Sequence, residues 1–380
     1  MFGSHLSIAG SMVNALDEAT NLSLDTVQVF TKNQQQWKAK PLDPAMTQDW
    51  LSRVKTLGWE SRIVSHASYL INLASASEEL WNKSIDLMTD EVERCQALGI
   101  PYLVHHPGSF VGWTLDEGIA RIARAYAIIL TRTAGSKVTL CLEGVSGAGS
   151  HIGAPFEHLA TLRQQILSAA PTPARIGYCL DTCHLHAAGH DLSTLASASE
   201  AIQRFDALCG IANVRVLHMN DSKGTLASKL DRHDHIGHGW VGGGAIKHAG
   251  EGIFNAKALK LSGFGAFVNH PHFATIPKIV ETPKGLDPQG VPWDTINIAR
   301  LRSLMLPASL VPSSNVTSRK ASAPTPAPPT TPPFPARRSQ KSASQATASN
   351  AAAARSAPRP PAKKGPTSKA TKAVRPRPSG

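Results

Sequence analysis

The stretch Ile176-Gly-Tyr-Cys-Leu-Asp181-Thr-Cys-His184 decides the fold. Its first six residues read as a buried strand that stops on a carboxylate, and a histidine follows three residues on. The same motif, an apolar run ending on a titratable residue, recurs along the chain. Strands are predicted at Phe2 to His5, Thr26 to Phe30, Arg62 to His66, Tyr102 to His106, Val138 to Glu143, Ile176 to Asp181, Val214 to His218 and Lys278 to Glu281. Helical stretches fit between them. In Glu78 to Leu98, for example, Leu80, Ile85, Leu87, Met88, Val92 and Cys95 recur near the helical period before Gly99 stops the run. Eight β/α units in about 300 residues predict an α/β fold, a closed (β/α)8 TIM barrel.

His5, His66, His106, Glu143, Asp181, His218 and Glu281 each end a predicted strand, and the steps from His66 to His218 are 40, 37, 38 and 37 residues. Strand C-termini of such a barrel converge on one mouth, so these residues become neighbours. A ring of imidazoles and carboxylates in a partly dry space is unstable unless a cation neutralises it. His with Asp/Glu selects a borderline divalent metal, Zn²⁺, with Mn²⁺ or Fe²⁺ as substitutes. A single strand-end histidine is ordinarily a hydrogen-bonded core or surface residue; seven together would need seven unrelated explanations. His184 adds a candidate three residues after Asp181, and alternation in Asp231-Arg-His233 puts two more on one side of an extended loop. The competing reading of that pair is a charged loop. Cys183 is read as packing against the barrel.

The formal net charge of the 380 residues is +12, but it is unevenly spread. Residues 307–380 hold 13 of the 39 basic residues, no acidic ones and 15 of the 27 prolines, which leaves 26 basic and 27 acidic residues in 1–306. The expected organisation is a barrel domain over 1–306 and a disordered basic C-terminal tail over 307–380. That tail is either a solvated linker or an arm adding non-specific affinity for a polyanion. No membrane span is expected, because no run of about 18 apolar residues exists, and no secretory signal, because Met1-Phe2-Gly3-Ser4-His5 opens without a charged n-region and an apolar h-region. Five scattered cysteines suit buried thiols in a reducing compartment better than a disulfide framework. Arg337-Arg338 and Lys363-Lys364 favour the nucleus, with the mitochondrion as the alternative.

Seven segments carry a resemblance: Phe30-Thr-Lys-Asn-Gln-Gln-Gln-Trp37, Ser65-His-Ala-Ser-Tyr-Leu-Ile-Asn-Leu73, His106-Pro-Gly-Ser109, Cys179-Leu-Asp-Thr-Cys-His184, Leu217-His-Met-Asn-Asp221, Asp231-Arg-His233 and Ile279-Val-Glu-Thr-Pro283. In this order the chain, over roughly residues 3 to 304, resembles the endonuclease IV family of apurinic/apyrimidinic (AP) endonucleases. The resemblance implies a monomeric DNA-repair hydrolase with three zinc ions. His66 and His106 would hold the first zinc, and Glu143 would bridge it to the second and be the central catalytic residue. Asp181, His218 and Glu281 would complete the second site; His184, Asp231 and His233 would hold the third. The substrate would be duplex DNA with an abasic site, cut on its 5′ side to leave a 3′-hydroxyl and a 5′-deoxyribose phosphate, with 3′-blocked ends as further substrates. Lys32, Gln35, Trp37, Tyr69 and Lys223 would contact the DNA, although Trp37 and Tyr69 also read as packing aromatics and each lysine as a solvated one. A sugar isomerase or epimerase of the same fold, and a catalytically impaired DNA-binding barrel, are the competing functions.

Three departures from the family pattern stand out. Gln35 takes the place of an expected arginine, and Gly144-Val145 follows Glu143 where an asparagine motif is expected. The step from His218 to Glu281 is 63 residues, with the surplus placed at 241–263. An insertion there, whether a loop or an unspliced intron, would be expected to displace the third zinc site.

Overall fold

The computed structural model describes residues 1–170, 175–246 and 252–307. Eight parallel strands close on themselves: β1 (Phe2–His5), β2 (Thr26–Val29), β3 (Val64–His66), β4 (Tyr102–His105), β5 (Thr139–Glu143), β6 (Ile176–Asp181), β7 (Val214–His218) and β8 (Lys278–Val280), with β1 paired to both β2 and β8. The predicted TIM barrel is therefore the fold, and all eight predicted strands are present. Three of them end a residue early, at Val29, His105 and Val280. At the last, the chain leaves the ladder because the Glu281 N–H turns to the side-chain oxygen of Asn220, 2.7 Å away.

Around the barrel run α1 (Met12–Asn21), α2 (Pro44–Leu57), α3 (Glu78–Ala97), α4 (Leu115–Arg132), α5 (Phe156–Ala169), α6 (Thr182–Ala188), α7 (Leu195–Cys209), α8 (Ala256–Leu261), α9 (Phe264–Asn269) and α10 (Trp293–Arg302). Their starts are written locally. Ser77, with Glu78 and Glu79 in the first turn, caps α3, and Thr114 with Glu117 forms a capping box on α4. In α3 the predicted apolar face is buried at Ile85, Leu87, Met88, Val92 and Cys95, while Leu80 is only half-buried.

Strand alternation sorts the side chains into two apolar clusters. Leu140 and Leu142 face the helices, whereas Val64, Val104, Cys141, Cys179, Val216 and Ile279 meet inside the barrel. Each of those six precedes a titratable residue by two positions: His66, His106, Glu143, Asp181, His218 and Glu281. Side-chain period two thus stacks a polar layer directly above an apolar one. All five cysteines are buried and unbridged, as expected of structural thiols. Among the described residues no helix is long and apolar enough to cross a membrane.

The segment 241–263 is partly visible. The Val241 and Gly242 N–H groups each donate to Asp221 Oδ1 at 3.0 Å, a two-stranded ribbon pairs 245–246 with 252–253, and Leu259 and Ser262 are buried. Gly242 lies so close to its neighbours that a Cβ there would be 2.2 Å from Asp221 Oδ2. These described parts are built into the barrel wall, while 247–251 lie outside the described residues. So does the tail expected from Pro307 onward, beyond Pro307 itself.

Candidate metal centre

The strand-end residues converge around Glu143, which is buried at the barrel mouth. Its Oε2 lies 3.2 Å from His66 Nε2 and 3.4 Å from His106 Nε2, while Oε1 lies 3.0 Å from His218 Nδ1 and 3.4 Å from His184 Nδ1. One carboxylate therefore faces two separate groups of imidazoles, one with each oxygen. His218 Nδ1 also approaches Glu281 Oε2 at 3.2 Å and Asp181 Oδ2 at 3.8 Å. On the third side, Asp231 Oδ1 lies 3.2 Å from His184 Nε2 and 3.4 Å from His233 Nε2. All nine predicted ligands are thus brought together: eight fall into the groups His66/His106/Glu143, Glu143/Asp181/His218/Glu281 and Asp181/His184/His233 with metal-ligand spacing, and the ninth, Asp231, groups with His233 and Cys183. The expected displacement of Asp231 and His233 by the 241–263 segment is not seen: both still face His184, and Asp221 ties the start of the segment through the N–H groups of residues 237, 241 and 242.

The structure adds that Asp181 is shared. Its Oδ2 stands 3.8 Å from His218 and 3.7 Å from His233, so it spans the second and third groups rather than serving the second alone.

The ring orientations test whether these residues suit a cation. His66 Nδ1 donates to the Ala67 carbonyl at 2.7 Å, His184 Nδ1 to the Gly144 carbonyl at 3.0 Å and His233 Nδ1 to the Glu281 carbonyl at 3.0 Å. His218 uses its other nitrogen, Nε2, toward Gln28 Oε1 at 2.8 Å. A carbonyl oxygen only accepts, so each ring must carry its proton on that outer nitrogen. The inner nitrogen then turns a lone pair toward carboxylate oxygens, which is repulsive unless a proton or a metal ion sits between them. His184 Nε2 and His233 Nε2 are buried and make no hydrogen bond at all. Outer-nitrogen hydrogen bonds of this kind are how proteins aim imidazoles at divalent metals. The donor set, nitrogen and oxygen with no thiolate, suits zinc.

Electrostatics point the same way. Burial alone would lower the His218 pKa, but Glu281 and Glu143 raise it to about 9. Burial likewise opposes His184, yet Asp181, Asp231 and Glu143 hold it well above its ordinary value. Burial should raise Glu143, but His218 and His106 hold it well below the usual carboxylate range. Against its partial desolvation, Asp231, exposed at the rim of the mouth, is pulled to about 2 by His184. The site is an anionic cage seeking positive charge. Cys183 sits near Asp231 and His233, but burial and Asp181 push its thiol up to about 12, which favours packing over ligation.

Sequence reasoning missed two orienting residues. Gln28, fully buried on β2, donates to Glu281 Oε1 at 2.6 Å and accepts from His218. Asn220 donates to Asp181 Oδ2 at 2.6 Å and accepts the Glu281 N–H. Asn220 lay inside a quoted motif, and Gln28 is a polar residue interrupting an apolar strand; both were signals of buried polar work. The adjacent His105 and His106 separate by parity: His106 joins the cage, while His105 turns to the helix layer against Tyr126 and is lowered by burial to about 4. Gly144 contributes its carbonyl, to His184, and a main-chain carbonyl is available from any residue at that position.

A cavity of about 200 Å³ opens beside the cage, lined by His66, Tyr69, Asn72, His106, Ser109 and His151. Tyr69 is 59% exposed, with its ring centroid 5.0 Å from that of His66 and 5.7 Å from that of His106. Gln35 and Lys223 are exposed, and Trp37 is at the margin of exposure. Lys32 is a correction. It is buried rather than solvated, and its ammonium donates to the Gln36 carbonyl at 2.7 Å, because the loop folds over it.

A closed parallel barrel with this cage belongs to a recognisable class: residues 16–249 match the family model of the xylose isomerase-like TIM barrel. "Probable endonuclease 4" of Chloroflexus aurantiacus is 39% identical over 304 residues, covering 80% of this chain and 98% of the relative. The protein of the same name from Geobacter sp. strain M21 is 37% identical over 305 residues, covering 80% and 99%. The crystal structure of endonuclease IV from Thermus thermophilus superposes with a TM-score of 0.64 at 33% identity, covering 80% and 98%. Within the class, the chain belongs to the endonuclease IV family. A D-tagatose 3-epimerase-like protein, at 17% identity and a TM-score of 0.54, shares the fold alone.

Proposed function

We propose that this protein is a zinc-dependent AP endonuclease that hydrolyses the phosphodiester 5′ to an abasic site in duplex DNA, leaving a 3′-hydroxyl and a 5′-deoxyribose phosphate. The observation that carries this reading is Glu143, whose two oxygens face two groups of imidazoles, with the unprotonated nitrogens of His66 and His218 turned toward it, one on each oxygen. His66, His106 and Glu143 would hold one zinc, Glu143, Asp181, His218 and Glu281 the second, and His184, Asp231 and His233 the third, with Asp181 adjoining it. Bound there, zinc supplies Lewis acidity and lowers the pKa of water toward neutrality.

The chain's own residues do the rest. Gln28 and Asn220 hold Glu281 and Asp181 in place, so the cage does not reorganise when charge develops at phosphorus. Tyr69 and Asn72 shape the cavity beside the cage, into which an abasic sugar, lacking a base to unstack, swings at least cost. Exposed Gln35, Trp37 and Lys223 are assigned to the DNA. A 3′-blocked end offers the same linkage to phosphorus, and so falls within the same chemistry. The protein acts as a monomer, and Arg337-Arg338 and Lys363-Lys364 would direct it to the nucleus.

The test is zinc per chain together with incision of a duplex carrying one tetrahydrofuran abasic analogue, with and without chelator. About three zincs and incision on the 5′ side of the analogue, abolished by chelator, is the expected result. Zinc loading with binding but no incision would instead identify an impaired DNA-binding barrel.

A further inference from the structure

Helix α3 packs outside the barrel, yet two of its buried charged residues reach the mouth loops. Glu91 is 1% exposed and Arg94 9%. Glu91 Oε2 accepts the Thr31 hydroxyl at 2.7 Å, and its Oε1 accepts the Ser68 N–H at 3.3 Å. Arg94 Nη2 donates to the Thr31 carbonyl at 2.6 Å, while its Nη1 donates to the Lys40 carbonyl at 3.1 Å. The guanidinium therefore grips both ends of the loop 31–40, and the carboxylate ties that loop to the next one. Ser68 completes the tie by donating its hydroxyl to the Gln34 carbonyl at 2.6 Å.

Burying a carboxylate and a guanidinium is expensive, and this hydrogen bonding goes to the loops that display the exposed groups. Gln35 and Trp37 lie inside the gripped loop; Tyr69 directly follows Ser68 and overhangs His66. We propose that Glu91 and Arg94 are positioning residues for damaged DNA, setting from α3 the pose of the loops that carry Gln35, Trp37 and Tyr69. The inference rests on the AP endonuclease reading. It differs from a purely structural role in one respect: weakening the tie loosens substrate grip without touching the metal cage.

The experiment uses full-length, zinc-loaded protein in three variants: Glu91→Gln, Arg94→Lys, which keeps the charge but cannot span both carbonyls, and Thr31→Val, which leaves α3 intact. Each should raise KM for the tetrahydrofuran duplex at least about fivefold, as expected for loss of a charge-assisted hydrogen bond, with kcat within about twofold and zinc content unchanged. Limited trypsin cleavage after exposed Lys38, inside the gripped loop, should accelerate by a similar factor. Unchanged KM and unchanged cleavage at Lys38 would overturn the proposal. So would a fall in kcat at constant KM, the signature of a smaller folded fraction. Should the wild type fail to incise, the function reading falls, while cleavage at Lys38 still decides whether Glu91 and Arg94 set the loop.

Discussion

Glu143 and Asn220 show what a single side chain contributes here. Replacing Glu143 by Gln keeps size but removes the charge that four imidazoles surround. Partners one shell out are worth about 10–100-fold in metal affinity or activity, so loss of the central ligand should cost incision more than about 100-fold. Circular dichroism should stay close to wild type and bound zinc should fall; undiminished incision would remove Glu143 from the centre. Asn220→Ala deletes the bond to Asp181 and the acceptor for the Glu281 N–H. A loss of about 10–100-fold in zinc affinity is expected, read by competition with a chelator. Six of the nine ligands were legible residue by residue because each lies at or just past a strand's end, two positions beyond an apolar residue; His184, Asp231 and His233 were legible from their spacing in the segments that follow. Gln28 and Asn220 were flagged only as polar residues in a strand and a motif; what each amide holds is decided by partners distant in sequence.

At the scale of elements, the proposed function assigns grip on DNA to the loops, and the packing of His235 and His238 on the helix at Trp293 contributes to acid response. Gln35 is exposed with only its N–H tied, to Asn33 Oδ1 at 2.9 Å, so its side chain is open to replacement. Gln35→Arg should tighten binding of the abasic duplex and steepen the salt dependence by about one phosphate contact, measured as log Kd against log salt. An unchanged slope would mean the loop does not meet the backbone. His235 stacks on Trp293 of α10 at 3.7 Å, and His238 meets the same ring edge-on at 5.5 Å. Burial first and nearby cations second lower both to about 4. Unfolded histidine titrates near 6.5, so between about 6.5 and 4 the unfolded chain binds protons that these folded rings refuse, and stability falls as pH drops through that window. Urea midpoints of wild type and His235→Gln/His238→Gln at about pH 7 and 4.5 should show a smaller pH-dependent loss in the double variant. The strands and helices themselves were readable from period two and period 3.6. The burial of Lys32 was not legible, because a surface-type residue in a polar loop carries no local sign that the loop will fold over it.

Across the whole molecule, charge is divided between a near-neutral barrel sequence and a basic C-terminal segment. Removing residues 308–380 takes away 13 basic residues and no acidic one. The expected outcome is weaker, less salt-dependent binding of undamaged duplex, with single-turnover incision at saturating enzyme unchanged. Equal salt slopes for both proteins would make that segment a spacer. The barrel closes around its own polar mouth, so the cage needs all eight strands. A histidine from β3 and a carboxylate from β8 approach one another only after closure.

The sequence by itself determined the barrel and the identity of its mouth residues, because strand length, alternation and the residue at a strand's end are local properties of the chain. The tertiary structure alone decided which imidazole nitrogen faces inward, that Asp181 is shared, that Lys32 is buried under its own loop and that α3 holds the loops 31–40 and 67–70. Those outcomes depend on which groups are desolvated together, and desolvation is set by neighbours that are distant along the chain.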